Sequence, residues 1–409
     1  MRRRLSPYER AVWAAGEVLP VNFTAIARVE GHVDPDDIRA SLTSTRRRHP
    51  LLGVRVADAG RWRAWLTTEA VPDPQLRVVN TTAPDAWARV VEEELPRRFD
   101  TATGPLARFV LVDAGDTFDL IAVCHHLVCD GISASIVIDD ILRGSAHEVP
   151  RPRPVPAVDD LVPRPRPELS DLRKLARALG GSTRPVRHTG PLACTTWLLS
   201  AEETTAILTR CRAEGATLQA ALCAAFARAF PHPADISVPV DLRRILAPAA
   251  QNAVGLYATS IVRPVDGTAP VGFWTLARHV RADLQHHVGP DELSPLVRAF
   301  RVLRFLPHKT MGSLIRGSEA HGARFDVSIS NANLPNRPDY GPLRLSAIYG
   351  AAHTSLSGAP LVIVVGYDGQ LFLSVTSGDE TGSKQLCERA MSQLADALAS
   401  PPVPAQNHT

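Results

Sequence analysis

The stretch Leu120-Ile121-Ala122-Val123-Cys124-His125-His126-Leu127-Val128-Cys129-Asp130-Gly131 decides how this chain is read. An apolar run ends in two adjacent histidines, an aspartate and a glycine follow close behind, and Ile132–Leu142 then has the spacing of a helix. Just upstream, Leu106–Asp113 and Phe118–Cys124 read as two strands joined by the turn Ala114-Gly115-Asp116. The histidines therefore sit where a strand opens into a loop, a position from which a rigid element aims a side chain into a cleft. Histidine titrates near neutrality, so it can take a proton and return it, a role worth about 10²–10⁴-fold in rate. Asp130 can bond a ring nitrogen, or it can hold the loop by pairing with an arginine. Gly131 is expected to permit a backbone turn that a side chain would obstruct. Cys124, His125, His126 and Cys129 are all possible zinc ligands. Neighbours on a strand point to opposite faces, however, so the four do not easily converge and no metal site is expected.

Strand and helix signals alternate on both sides of this stretch. Val21–Glu30 is strand-like, and Pro35–Arg48 is a helix with Asp34 as N-cap, Pro35 at the first helical position and arginines in the last turn. Trp87–Arg98 reads as a second amphipathic helix. Seven prolines between Pro150 and Pro167, interleaved with arginines, cannot hold a regular ladder and mark a linker. Beyond it, the strand Cys194–Leu199 leads into a helix capped at Ser200, with Glu203 completing a capping box. Leu218–Phe230 is apolar nearly all round and reads as a buried helix. Further strands are expected at Asp235–Val240, Gly255–Val262, Phe325–Ser330, Leu343–Tyr349, Leu361–Tyr367 and Leu371–Thr376. Further helices are expected at Gly272–His286, Leu293–Phe305 and Lys384–Leu398. The class is mixed α+β, divided into a lobe of residues 1–149, a linker of 150–190 and a lobe of 191–409.

Composition narrows the function. The 409 residues carry 45 basic against 42 acidic side chains, a net charge of +3 that disfavours a nucleic-acid binder. Lys174, Lys309 and Lys384 are the lysines, so the basic residues are almost all arginine, as high genomic GC content would produce. Six scattered cysteines make no disulfide framework. The start, MRRRLSPYERAVW, lacks the apolar core of a signal peptide, and no run approaches the length of a membrane span. A cytoplasmic location is expected.

His125–Gly131 fits the pattern HHxxxDG and resembles the signature of the condensation-domain and acyltransferase superfamily. The surroundings extend the likeness from about Leu5 to Leu398. IRASLTSTRRRHPLLGV (Ile38–Val54) resembles the family's helix with its RHP-L-L element, and FDTATGPLARFV (Phe99–Val110) its approach to the histidine strand. Pro239-Val240-Asp241-Leu242-Arg243 resembles the PVDLR element, and Val254–Thr259 a later G-x-F/Y-x-N/T segment with Thr259 where Asn is commoner. Among the branches, the chain looks most like the stand-alone phthiocerol dimycocerosyl transferase type; it lacks the DFGWG element of the plant branch.

The resemblance implies two chloramphenicol-acetyltransferase-like lobes in a V, with the active site in a tunnel between them. A segment within Ser330–Thr376 would cross from the second lobe to the first. The implied activity is acyl transfer from a carrier-protein or CoA thioester, and the implied acceptor is a hydroxyl, or an amine, of a natural-product or lipid intermediate. No cofactor is implied beyond the phosphopantetheine or CoA that carries the acyl donor, and the protein is expected to be a monomer. His126 would be the general base and Asp130, paired with Arg243, would keep it in register, with His125 and Gly131 in support. Ser330 and Asn331, in the run Ser328–Asn333, would donate to the oxyanion or line the tunnel, or simply form an ordinary strand-end turn. A non-catalytic docking member and a member repurposed for polyketide cyclisation are the alternatives.

Overall fold

The apolar run before the histidines forms β7 (Thr117–His125), an inner strand of a six-stranded sheet. The residues described by the computed structural model are 1–58, 63–83, 85–144, 155–161, 190–244, 246, 252–289, 293, 300–301, 306–320, 325–333, 339–353 and 358–401. Antiparallel to β7 on one side runs β2 (Asn22–Glu30), with Asn22 opposite His125, and on the other β6 (Ala107–Asp113). β5 (Leu76–Asn80) extends the sheet in parallel from β6. Both faces of β7 are covered, which is why it reads as a continuous apolar run. Leu120, Ala122 and Cys124 belong to the core that also holds residues of α2 (Pro35–Arg48) and α4 (Gly131–Leu142). Ile121 and Val123 belong to a second core with Trp87, Val90 and Val91 of α3 (Ala86–Glu94).

The local signals explain these elements. Asp34 caps α2 by accepting the N–H of Asp36, with Pro35 at the first turn. The helix expected over Trp87–Arg98 ends earlier, at Glu94: Pro96 cannot continue it, and the Leu95 carbonyl instead accepts from Asn22 Nδ2 at 2.9 Å. A short sheet of β1 (Arg2–Arg4), β4 (Trp65–Thr67) and β3 (Arg55–Ala57) lies beside this lobe in the chain. A helix not anticipated from the sequence, α1 (Pro7–Gly16), begins with a full capping box between Ser6 and Glu9.

The second half builds its own six-stranded sheet. Its order is β10 (Ala258–Val265), β9 (Ala234–Asp241), β11 (Val327–Asn333), β14 (Leu361–Tyr367), β15 (Gln370–Ser377) and β8 (Ala193–Leu199). α6 (Ala201–Ala213) carries the expected capping box at Ser200 and Glu203. α7 (Leu218–Arg228) is buried from Ala220 to Ala227, and α8 (Phe273–His287) and α10 (Glu380–Ala399) share its core. α5 (Val158–Leu161) lies within the Pro-rich linker, most of which falls outside the described residues, as does most of the helix expected at Leu293–Phe305.

The two halves exchange chain. After β11, β12 (Asp339–Tyr340) and β13 (Leu343–Ala352) join the first sheet, β13 pairing antiparallel with β2, before the chain returns to β14. Tyr340 Oη donates to Asp139 of α4 at 2.9 Å. α1 reaches the other way: Tyr8 Oη donates to the Ala258 carbonyl at 2.7 Å, and Arg10 Nη2 to that of Leu306 at 3.0 Å, next to α9 (His308–Ala320). Among the described residues no helix is long and apolar enough to cross a membrane.

Candidate active site

β7 delivers the two histidines to different surroundings. His125 is the last strand residue and is buried. Its Nδ1 lies 3.0 Å from the Leu127 amide, and because that N–H can only donate, Nδ1 accepts and the neutral ring carries its proton on Nε2. A Cβ placed on Gly16, at the end of α1, would lie 2.5 Å from that Nε2, so the helix backbone is fitted against the ring. Burial pushes the His125 imidazole down to about 3, and the neighbouring His126 acts in the same direction.

His126 has the opposite arrangement. The ladder extends one residue past the strand through its N–H to the Val21 carbonyl, at 3.0 Å. Its Nδ1 lies 3.2 Å from the Cys129 carbonyl, which can only accept. Nδ1 therefore carries the proton, and the Nε2 lone pair is left for chemistry. The ring is stacked on Phe23 of β2, centroids 4.4 Å apart, and the residue is only half-buried. Burial lowers its pKa, while the Asp130 charge and the Cys129 carbonyl offset part of that shift.

Asp130 is fully engaged elsewhere. It is the N-cap of α4, accepting the Ser133 amide at 2.8 Å. Arg243, on the turn after β9, grips it with two N–H groups at 2.8 and 3.1 Å, and the Tyr257 amide adds a bond at 2.9 Å. Of the two roles open to Asp130 in the sequence, the structure shows the arginine pairing. Burial opposes the Arg243 charge, but Asp130 and Asp241 more than offset it, so the guanidinium titrates above its ordinary range. Arg243 also donates to Ser133 Oγ at 2.8 Å and to the Ala253 carbonyl at 3.1 Å, and lies over the Tyr257 ring. Ser133 Oγ in turn exchanges bonds with the Gly255 backbone. The strand expected from Gly255 therefore starts at Ala258, because the preceding residues are spent on this contact between the halves.

Gly131 does not play the part expected of it. It is exposed, its backbone is not left-handed, and an added Cβ would meet nothing within 4 Å, so no turn requires glycine there. It opens α4 beside free space. Ser330 is half-buried and Asn331 exposed on β11, in the parallel pair with β14, and neither is bonded to His126. A contributor the sequence reading passed over is His49 of the RHP element. Its Nε2 lies 2.6 Å from Asp140 on α4, tying the helix after the histidines to α2.

This frame of two sheets, with a crossing strand and the histidine loop pinned across the halves, has known counterparts. The Condensation domain family model matches residues 17–148. The first condensation domain of the calcium-dependent antibiotic synthetase superposes with a TM-score of 0.74 at 16% identity, covering 98% of both chains. This is the condensation-domain fold. The same fold is seen in TRI3 trichothecene 15-O-acetyltransferase from Fusarium sporotrichioides, with a TM-score of 0.73 at 13% identity over 97% of this chain and 95% of that one. In sequence, a linear gramicidin synthase from Brevibacillus parabrevis is 24% identical over 389 residues, which cover 81% of this chain and 5% of the synthase. The chain spans 2–5% of the first curated relatives it matches.

Proposed function

We propose that the protein is an acyltransferase that moves an acyl group from a thioester, on carrier-protein phosphopantetheine or on CoA, to a hydroxyl or an amine. The observation that carries the reading is the His126 ring, whose Nδ1–H is committed to the Cys129 carbonyl so that Nε2 keeps an open lone pair. An acceptor O–H or N–H gives its proton to Nε2 as the heteroatom attacks the thioester carbonyl. The C–S bond then breaks, and the imidazolium returns the proton from Nε2 to the leaving sulfur, giving free thiol and neutral His126. No acyl-enzyme forms, so the chemistry needs no serine or cysteine nucleophile. Asp130 and Arg243 hold the loop and join the two halves; they do not touch the proton in flight. TRI3 is named as an O-acetyltransferase, which favours a hydroxyl acceptor, and the other counterpart is named as a condensation domain of an antibiotic synthetase, which leaves an amine open. The retained His126 weighs against a purely docking role.

The test is thioester consumption by acyl-CoA and acyl-carrier-protein panels with alcohols and amines, with products identified by mass. Acceptor-dependent thiol release that falls about 10²-fold or more in His126→Ala is the expected result. Undiminished transfer by that variant would remove His126 as base.

A further inference from the structure

The half-buried His126 has to become a cation as it takes the acceptor's proton, and few groups lie against it to support that charge. The acidic side chain acting on it is Asp130, whose carboxylate is already neutralised by Arg243 and fully hydrogen-bonded. His125 on the same strand is held neutral by burial. The loop adds the Cys129 thiol, raised well above its usual range by burial; β2 sets the uncharged Phe23 against the ring, and the end of β13, where Ala352 pairs with Phe23, brings His353, whose N–H donates to the Asn22 carbonyl at 2.9 Å. Among the described residues, the groups set directly against the His126 ring are the Cys129 carbonyl at Nδ1 and the face of Phe23.

Phe23 is placed for this by the register of the sheet. It lies opposite Cys124, two residues along the chain from Val21, whose carbonyl accepts the His126 N–H, and it is 4% exposed. The rings are 25° from parallel. An aromatic face within about 6 Å of a cation attracts it through the ring quadrupole, more strongly when both are desolvated.

Resting on the reading of His126 as base, we propose that Phe23 is a positioning residue for it: the ring fixes the imidazole plane, and its π face stabilises the imidazolium formed in transfer. A neutral ring would be held in place by any flat apolar neighbour of the same size; the cation is what distinguishes an aromatic one.

The test follows the His126 imidazole by NMR titration in Phe23→Leu and in proteins carrying mono-, di- and trifluorinated phenylalanine at position 23, which keep the shape and weaken the π face. The His126 pKa should fall by about half to one unit in Phe23→Leu, and stepwise along the fluorinated series. The rising limb of the pH–kcat/KM profile should move to lower pH by the same amount, because a weaker base is neutral at lower pH. We expect kcat to drop about three- to tenfold with the donor KM nearly unchanged. A His126 pKa constant across the whole series, in an active wild type, overturns the assignment of Phe23 alone. A pKa that falls with fluorination in a protein that transfers no acyl group supports the stacking and overturns the acyltransferase reading alone.

Discussion

The two ends of the loop from His125 to Asp130 are built on opposite plans. At the aspartate end every oxygen valence is used: Asp130 takes bonds from Ser133, Tyr257 and Arg243, and Arg243 goes on to Asp241 and Ala253. At the histidine end one ring is sealed against Gly16, and the other keeps a free nitrogen and partial exposure. Saturation makes a hinge pin between the two halves; spare valence makes a reactive atom. One short motif therefore supplies the joint between the halves and, in the proposed reaction, the base.

The comparison breaks first at the pin. Arg243→Ala leaves the Asp130 carboxylate buried without its partner, so a loss of about 3–5 kcal/mol is expected in urea unfolding, with transfer lost alongside. His126→Ala should do the reverse, removing transfer while shifting stability by less than about 1 kcal/mol. An Arg243→Ala protein of wild-type stability would show that the joint does not depend on this pair.

A second prediction separates the two histidines by pH. His125 titrates at about 3 in the folded protein against about 6.5 in the unfolded chain. Below pH 6.5 the unfolded state gains a proton that the folded state refuses, so stability falls progressively as pH drops from 6.5 toward 3. Two pH units below 6.5 the penalty is about 2–3 kcal/mol. His125→Asn keeps an acceptor near the Leu127 amide and does not titrate, so urea midpoints measured from pH 7.5 to 4.5 should decline less steeply in it than in wild type. Parallel declines would refute the buried neutral ring.

The smallest expected effect sharpens the fit of α1. Gly16→Ala pushes a methyl group onto His125 Nε2 and should lower stability by about 1–3 kcal/mol. In a His125→Asn background the same change should be milder, a coupling that a double-mutant cycle reads directly.

Much of this was legible in the sequence, for reasons that differ by residue. Asp34 with Pro35, and Ser200 with Glu203, mark their helices because caps are local chemistry. Ser6 and Glu9 carry the same capping box, but the helix they start, α1, is short and follows closely on the basic residues Arg2–Arg4, so its signal is weaker. The crossing of Leu343–Ala352 into the first sheet follows from the family resemblance and not from periodicity, which fixes a strand's faces but not its neighbours. The pairing of Asp130 with Arg243 was one of two options on the residues, and the resemblance chose between them. The opposed tautomers of His125 and His126 depend on where one amide and one carbonyl of the following loop turn, and no side-chain pattern encodes that. Gly131 misled because glycine suggests a turn, whereas here it only leaves space.

The most direct test of this account is the nitrogen NMR spectrum of the folded protein with labelled histidine at pH 7.5, assigned through His125→Asn and His126→Ala. It should show His126 protonated on Nδ1 with a bare Nε2, and His125 protonated on Nε2 with an accepting Nδ1. A His126 that carries its proton on Nε2 would have no lone pair to offer there, and would contradict its role as the base.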